Sequence, residues 1–203
     1  MEPFRTLTSL AAPLDRANVD TDQIIPKQFL KRIERTGYGD FLFFDWRQTP
    51  EGAPVAEFVL NDPRYRGARI LIAGKNFACG SSREHAAWAL SDFGFRVVIA
   101  PTFADIFFSN AGKNGIVLAR LSEEQVAELL HKAQTIPGYK VTVSLEAQTV
   151  TDEHGFKASF EMDTFRKYCL LEGLDDIGLT LRHAAALDSF ETMHDEAVWL
   201  KAK

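Results

Sequence analysis

Arg69-Ile-Leu-Ile-Ala-Gly-Lys-Asn-Phe-Ala-Cys-Gly-Ser-Ser-Arg-Glu-His-Ala-Ala-Trp-Ala-Leu90 joins a short apolar run to a helical pattern through a loop ending in Gly80-Ser81-Ser82-Arg83. The apolar run predicts a strand over 69–73, and the spacing that follows predicts a helix over 83–93. The first amides of a helix have no partner inside it, and the aligned peptide dipoles leave partial positive charge there. Two hydroxyls and a guanidinium at such an end suit a carboxylate, a phosphate or an alkoxide.

The same alternation continues downstream. Strands are expected over 96–100 and 115–121, and helices over 103–111 and 122–131, the last opened by a capping box of Ser122 with Gln125. From Tyr139 to Met162 the period drops to two, with a turn at Asp152-Glu-His-Gly155, which predicts a hairpin. Helices over 163–172 and 175–187 follow, separated by Gly173, and the polar stretch to Lys203 carries Trp199 as an arm or partner contact. Upstream, Asn18-Val-Asp-Thr-Asp-Gln-Ile-Ile-Pro26 reads as a structured loop entering the core. Residues 27–40, with Lys27, Lys31, Arg32 and Arg35, read as a basic, mobile connection. The aromatic run Phe41 to Trp46 needs cover, and 49–68 is a Pro- and Gly-punctuated surface excursion. The pattern is α/β in one domain, with a core over about 5–165 and a helical extension over about 166–203. A doubly wound nucleotide-binding sheet is the fold alternative.

Composition narrows the function. The chain has 203 residues, 46% of them apolar and 25% charged, enough for one sizeable core. A net charge of -5 gives no general attraction to nucleic acid or anionic lipid, so an anion site must be local. The first ten residues lack a secretory pattern and no stretch approaches a membrane span, so a cytoplasmic protein is expected. Two cysteines, Cys79 and Cys169, are too few for a disulfide framework or for the thiolates of an iron–sulfur cluster.

Ser81 has the most chemical promise, because a serine alkoxide is a base only where donors and positive charge stabilise it. A plain N-cap is the competing use of Ser81 or Ser82. Arg83 offers a planar fork matched to a carboxylate at the helix end where the dipole disfavours cations; a surface pair with Glu84 or Asp92 is the alternative. His85 is given no catalytic role. Gly80 is followed by Ser-Ser rather than Lys-Ser, and no Gly-x-Gly-x-x-Gly occurs, so the phosphate-loop and dinucleotide motifs both fail. Asp20-Thr21-Asp22 reads as a turn before it reads as a magnesium site, and Cys79 is read as chosen for fit rather than reactivity.

Taken together, Asn18 to Pro26, Gly80-Ser-Ser-Arg-Glu-His-Ala-Ala87 and Ala100-Pro-Thr-Phe-Ala-Asp-Ile-Phe107 resemble the small-subunit family of the bacterial 3-isopropylmalate dehydratases. That family is the swivelling domain of the aconitase superfamily carried as a separate chain, and Tyr38 to Trp46 resembles its leucine-pathway branch. The resemblance implies a three-layer β/β/α swivelling domain and a hydro-lyase that isomerises 2-isopropylmalate to 3-isopropylmalate by dehydration and rehydration in leucine biosynthesis. It further implies that Ser81 is the base and that Ser82 and Arg83 bind a substrate carboxylate. The loop carrying Lys31, Arg32 and Ile33 would govern which substituent is accepted. No metal is implied in this chain; the resemblance places a [4Fe-4S] cluster on a partner large subunit. A small subunit of a related hydro-lyase acting on citraconate, dimethylmalate or homoaconitate is the neighbouring possibility, and a non-catalytic anion-binding module the more distant one.

Overall fold

A computed structural model describes residues 1–81 and 83–195, with the side chain of residue 195 left out. The stretch around Trp199, and Ser82 within the central motif, lie outside the described residues.

The sheet is built on a strand that the sequence pattern did not disclose. β1 (Thr6–Leu14) runs through Ala-Ala-Pro and lacks clean alternation, yet it is the hinge of the whole fold. Its second half pairs in parallel with β2 (Ile70–Ala73), Ala11 opposite Ile70, while its first half pairs antiparallel with β5 (Lys140–Ser144), Thr6 opposite Ser144. Between β1 and β2 come two four-residue helices, α1 (Thr21–Ile24) and α2 (Phe44–Arg47). After β2 the chain alternates through α3 (Glu84–Phe93), β3 (Val97–Ala100), α4 (Asp105–Lys113), β4 (Val117–Arg120) and α5 (Glu123–Thr135). It then enters β5, β6 (Thr149–Asp152) and β7 (Lys157–Ser159) and continues into α6 (Thr164–Glu172), α7 (Asp176–Leu181) and α8 (Ala184–Asp195). The sheet order is β4-β3-β2-β1-β5-β6-β7, with β1 to β4 parallel and β5 to β7 antiparallel.

The parallel strands are apolar on both faces because both are covered. On one side Leu71, Val98 and Leu118 pack with α3, α4 and the aromatic run, where Phe43 lies stacked on Trp46 at 5.5 Å. On the other, Ile70, Ile72, Val97 and Ile99 share a core with α5 and with Val141, Val143 and Val150 of the antiparallel strands. One curled sheet therefore supplies two walls of this second core. The aromatic cover called for by Phe41 to Trp46 comes from within the chain: Tyr38, Leu42 and Phe43 are buried.

The C-terminal part departs from expectation in two places. The stretch 139–162 is a three-stranded meander rather than one hairpin, and the Asp152–Gly155 turn joins its second and third strands. The single helix expected over 175–187 breaks between α7 and α8, where the Arg182 guanidinium reaches back to the Tyr168 hydroxyl and, at 3.2 Å, to Glu172.

Asp152 locks the meander to α5. Its buried carboxylate accepts hydrogen bonds from the Tyr139 hydroxyl at 2.6 Å, Lys132 Nζ at 3.0 Å and the amides of His154 and Phe156 at 2.8 Å. Burial alone would raise this carboxyl, but the bonds from Tyr139, Phe156, Lys132 and His154 together hold it down at about 2. A folded value below the unfolded one contributes stability that is complete above about pH 4 and is lost as pH falls toward 2. Asp152→Asn is therefore expected to destabilise the chain by about 2 kcal/mol at pH 7, with the deficit shrinking to about 0.4 kcal/mol near pH 2 and vanishing below it; urea titrations across that range measure both.

Candidate functional site

The central loop is held by its meeting with the segment before α1. Asn18 donates its amide to the Lys75 carbonyl at 2.8 Å, Cys79 to Val19 at 3.0 Å and Thr21 to Cys79 at 2.9 Å, so 18–21 and 75–79 run side by side. The Asn76 amide donates to Thr102 Oγ1 at 2.8 Å and Phe77 bonds to Thr102, which ties the same loop to the segment entering α4. Three ends of structure thus converge beyond the carboxyl edges of β1, β2 and β3, where open parallel sheets place their ligands.

Asp20, Thr21 and Asp22 divide three roles. Asp20 is the N-cap of α1, accepting from the Asp22 amide while its own amide donates to Gln23 Oε1 at 2.8 Å. Thr21 is buried, and its hydroxyl donates to the Ser81 carbonyl at 3.0 Å. Asp22 pairs through Oδ1 with Nη1 of Arg83, and its Oδ2 lies 3.8 Å from Lys27 Nζ. The turn reading of this cluster holds for Asp20; for Asp22 the structure adds a partner 61 residues away. Neither Glu84 nor Asp92 takes Arg83, as the sequence had allowed; Asp92 instead accepts from the Tyr38 amide at 2.9 Å.

Gly80 shows why the loop contains a glycine there. Its φ is +92°, and a Cβ would collide with the Asp20 carboxylate that caps α1. Ala78 also adopts a positive φ, +59°, in a buried setting, a conformation that costs of order 1 kcal/mol for a residue with a Cβ. Packing on Phe103 and Phe107 through neighbouring Phe77 holds it.

Ser81 is exposed, with its carbonyl fixed by Thr21. The helix begins one residue later than the sequence pattern suggests: Arg83 is the N-cap of α3, with extended backbone and no side-chain cap. Ser81 consequently stands two residues before the cap, and helix-end fields weaken quickly outside the first turn. The Arg83 side chain is only 12% exposed, against 37% for Asp22, whereas Ser81 is open to solvent.

Lys31, Arg32 and Ile33 are all exposed. Ile33 is 96% exposed, whereas Arg32 lies over the Tyr38 and Phe41 rings at 5.8 and 5.0 Å and pairs with Glu34 at 3.6 Å. Phe29 stacks on Phe41 at 4.1 Å just below them. His85 packs against Tyr38 and Trp88, and burial lowers its basicity despite the carboxylate of Glu84, in keeping with a structural histidine. The Cys79 thiol is pushed up by burial and then by Asp20, which disfavours the reactive thiolate.

A model of the aconitase C-terminal domain matches residues 1–124, the LeuD_N model matches 127–164, and a model of the C-terminal domain of the 3-isopropylmalate dehydratase small subunit matches 176–202. The 3-isopropylmalate dehydratase small subunit of Acidobacterium capsulatum is 68% identical over 98% of this chain and 94% of its own length. That of Koribacter versatilis is 59% identical over 96% of this chain and the whole of its own. A crystal structure of 3-isopropylmalate dehydratase from Methanocaldococcus jannaschii superposes with a TM-score of 0.64 over 92% of this chain and 99% of that one, at 23% identity, and so shares the fold. The chain belongs to the family of 3-isopropylmalate dehydratase small subunits.

Proposed function

We propose that the chain is the proton-transfer half of a 3-isopropylmalate dehydratase, isomerising 2-isopropylmalate to 3-isopropylmalate in leucine biosynthesis together with a large subunit, as a cytoplasmic heterodimer. One observation carries this reading: the short helix α1 holds both the Ser81 backbone, through Thr21, and the Arg83 guanidinium, through Asp22, while Ser81 itself stays open to a ligand. Among the described residues no helix is long and apolar enough to cross a membrane.

Dehydration next to a carboxylate breaks a C–H bond and a C–O bond. Ser81, as alkoxide, takes the carbon-bound proton and returns it in the rehydration step. Arg83, with Ser82, holds the substrate carboxylate; its planar donors orient the C–H toward Ser81. Lys31, Arg32 and Ile33 face the substituent that distinguishes one diacid from another. A hydroxyl is a poor base while it is hydrated, so closure by the partner, which excludes water, strengthens every donor aimed at it.

The departing hydroxide needs a Lewis acid, which in this family is the large subunit's [4Fe-4S] cluster. The residues here do not fit such a group. Cys79 lies in the central loop and Cys169 is buried in α6, and burial raises both thiols. Among the described residues no three His, Cys, Asp or Glu side chains gather to hold a metal.

The purified chain alone is expected to produce no alkene absorbance from 2-isopropylmalate, and full turnover is expected once a cluster-loaded large subunit is added. Turnover by the chain alone would overturn the shared-site reading. In the reconstituted pair kcat/KM should be highest for 2-isopropylmalate; a higher value for citraconate, dimethylmalate or homoaconitate replaces the substrate.

A further inference from the structure

The C-terminal helices are folded outward. Every residue from Leu181 to Met193 is exposed, including Leu187, Phe190 and Met193, which recur at helical spacing along α8. Ile177 and Leu181 of α7 and Phe165 of α6 add further exposed apolar surface. A twelve-residue helix with no buried face is marginal in water, and exposed apolar patches of this kind mark contact sites. The root of the arm is nonetheless firm. The N-terminal ammonium donates to the Gly173 carbonyl at 3.0 Å and lies 3.6 Å from Asp175. Gly173, at φ +69°, sits so close to Met1 and Pro3 that a Cβ there would clash with both. Lys113 at the end of α4 pairs with Asp176 at 2.7 Å. The start of α7 is therefore fixed to the body of the chain.

We infer that α7 and α8 form a docking arm for the large subunit, their apolar face entering a hydrophobic groove rimmed by basic residues on that partner. The inference rests on the two-subunit reading above. Three observations choose this occupant over a second copy of the chain. The residues from 176 to 195 include Asp176, Asp188, Glu191 and Asp195 against one arginine, Arg182, so two such arms repel while a basic rim attracts. A cleft of about 370 Å³ runs from Arg35 and Glu84, beside the Ser81 loop, past Trp88 to Asp176 and Ile177, so a partner that covers the site continues onto the arm. Finally, the match to an aconitase domain ends at 124, whereas 176–202 match a model specific to small subunits; the arm belongs to the form of the fold that must find its partner as a separate chain.

The test is binding of the full chain and of its Leu187→Ser/Phe190→Ser/Met193→Ser triple variant to the cluster-loaded large subunit by titration calorimetry. Because the three side chains are exposed, the variant should keep the circular dichroism and melting midpoint of the parent. It should bind the large subunit about a hundredfold more weakly, yet turn over at the parent rate when the large subunit saturates it. Asp188→Lys/Glu191→Lys should weaken binding most at low salt. Equal affinity of parent and triple variant overturns the arm, as does a parent dimer that the triple variant dissociates while its affinity for the large subunit is unchanged. A parent chain that binds no large subunit and gives no turnover with it overturns the two-subunit reading instead.

Discussion

In the reconstituted two-subunit enzyme, Ser81→Ala is expected to lower kcat by about 10³- to 10⁴-fold, the loss that follows when a positioned proton-transfer group is removed, and to leave KM within about threefold. The substitution is structurally clean. The Ser81 side chain is exposed, and the contact that fixes its position is the Thr21 hydroxyl donating to its carbonyl, which alanine retains. Melting of the isolated variant should match the parent, so the lost rate reports chemistry rather than folding. Steady-state kinetics with 2-isopropylmalate, monitored by alkene absorbance, makes the measurement; full rate in the variant removes Ser81 as the base. The structure also makes the alkoxide harder to form in the free chain than the sequence implies. With the α3 cap at Arg83, Ser81 stands outside the first helical turn, so the helix dipole supplies little of the stabilisation. The remainder must come from Arg83 and from a closed, dry interface.

The alternation β2-α3-β3-α4-β4-α5 was legible because each strand is a short apolar run and each helix has a periodic apolar face, so local pattern and final structure agree. β1 was not legible. Its two halves serve different partners, one buried on both faces and the other half-exposed, so no single period describes Thr6 to Leu14. The break after α7 escaped for another reason: no proline or glycine marks it, and it lies where Arg182 bonds back to α6. Of the proposed site, Ser81 and Arg83 could be singled out as candidates because they stand in one motif. The role of Asp22 could not, since it depends on 18–21 lying beside 75–79, and that pairing is visible only once the sheet has been assembled.

The Arg83–Asp22 pair supplies the second large effect. Arg83→Lys keeps the charge but loses the planar fork, and charge-assisted bonds of this kind are worth about 1.5–3 kcal/mol. It is expected to lower kcat/KM for 2-isopropylmalate by about 10- to 100-fold, mostly through KM. Asp22 could in principle compete with the substrate for the guanidinium or orient it. The geometry favours orientation. Asp22 engages Nη1 alone, a guanidinium has five donors, and the Asp22 carboxylate is itself shared with Lys27 at 3.8 Å. Asp22 sits on α1, which is tied to the loop through Thr21 and capped by Asp20, so it is a fixed point against which Arg83 can be aimed. Asp22→Asn should therefore reduce kcat/KM about tenfold rather than raise it, and in the double variant with Arg83→Lys the two losses should combine to less than their product, the mark of residues that act together. A competitor would give the opposite sign, with Asp22→Asn lowering KM in an otherwise unchanged enzyme.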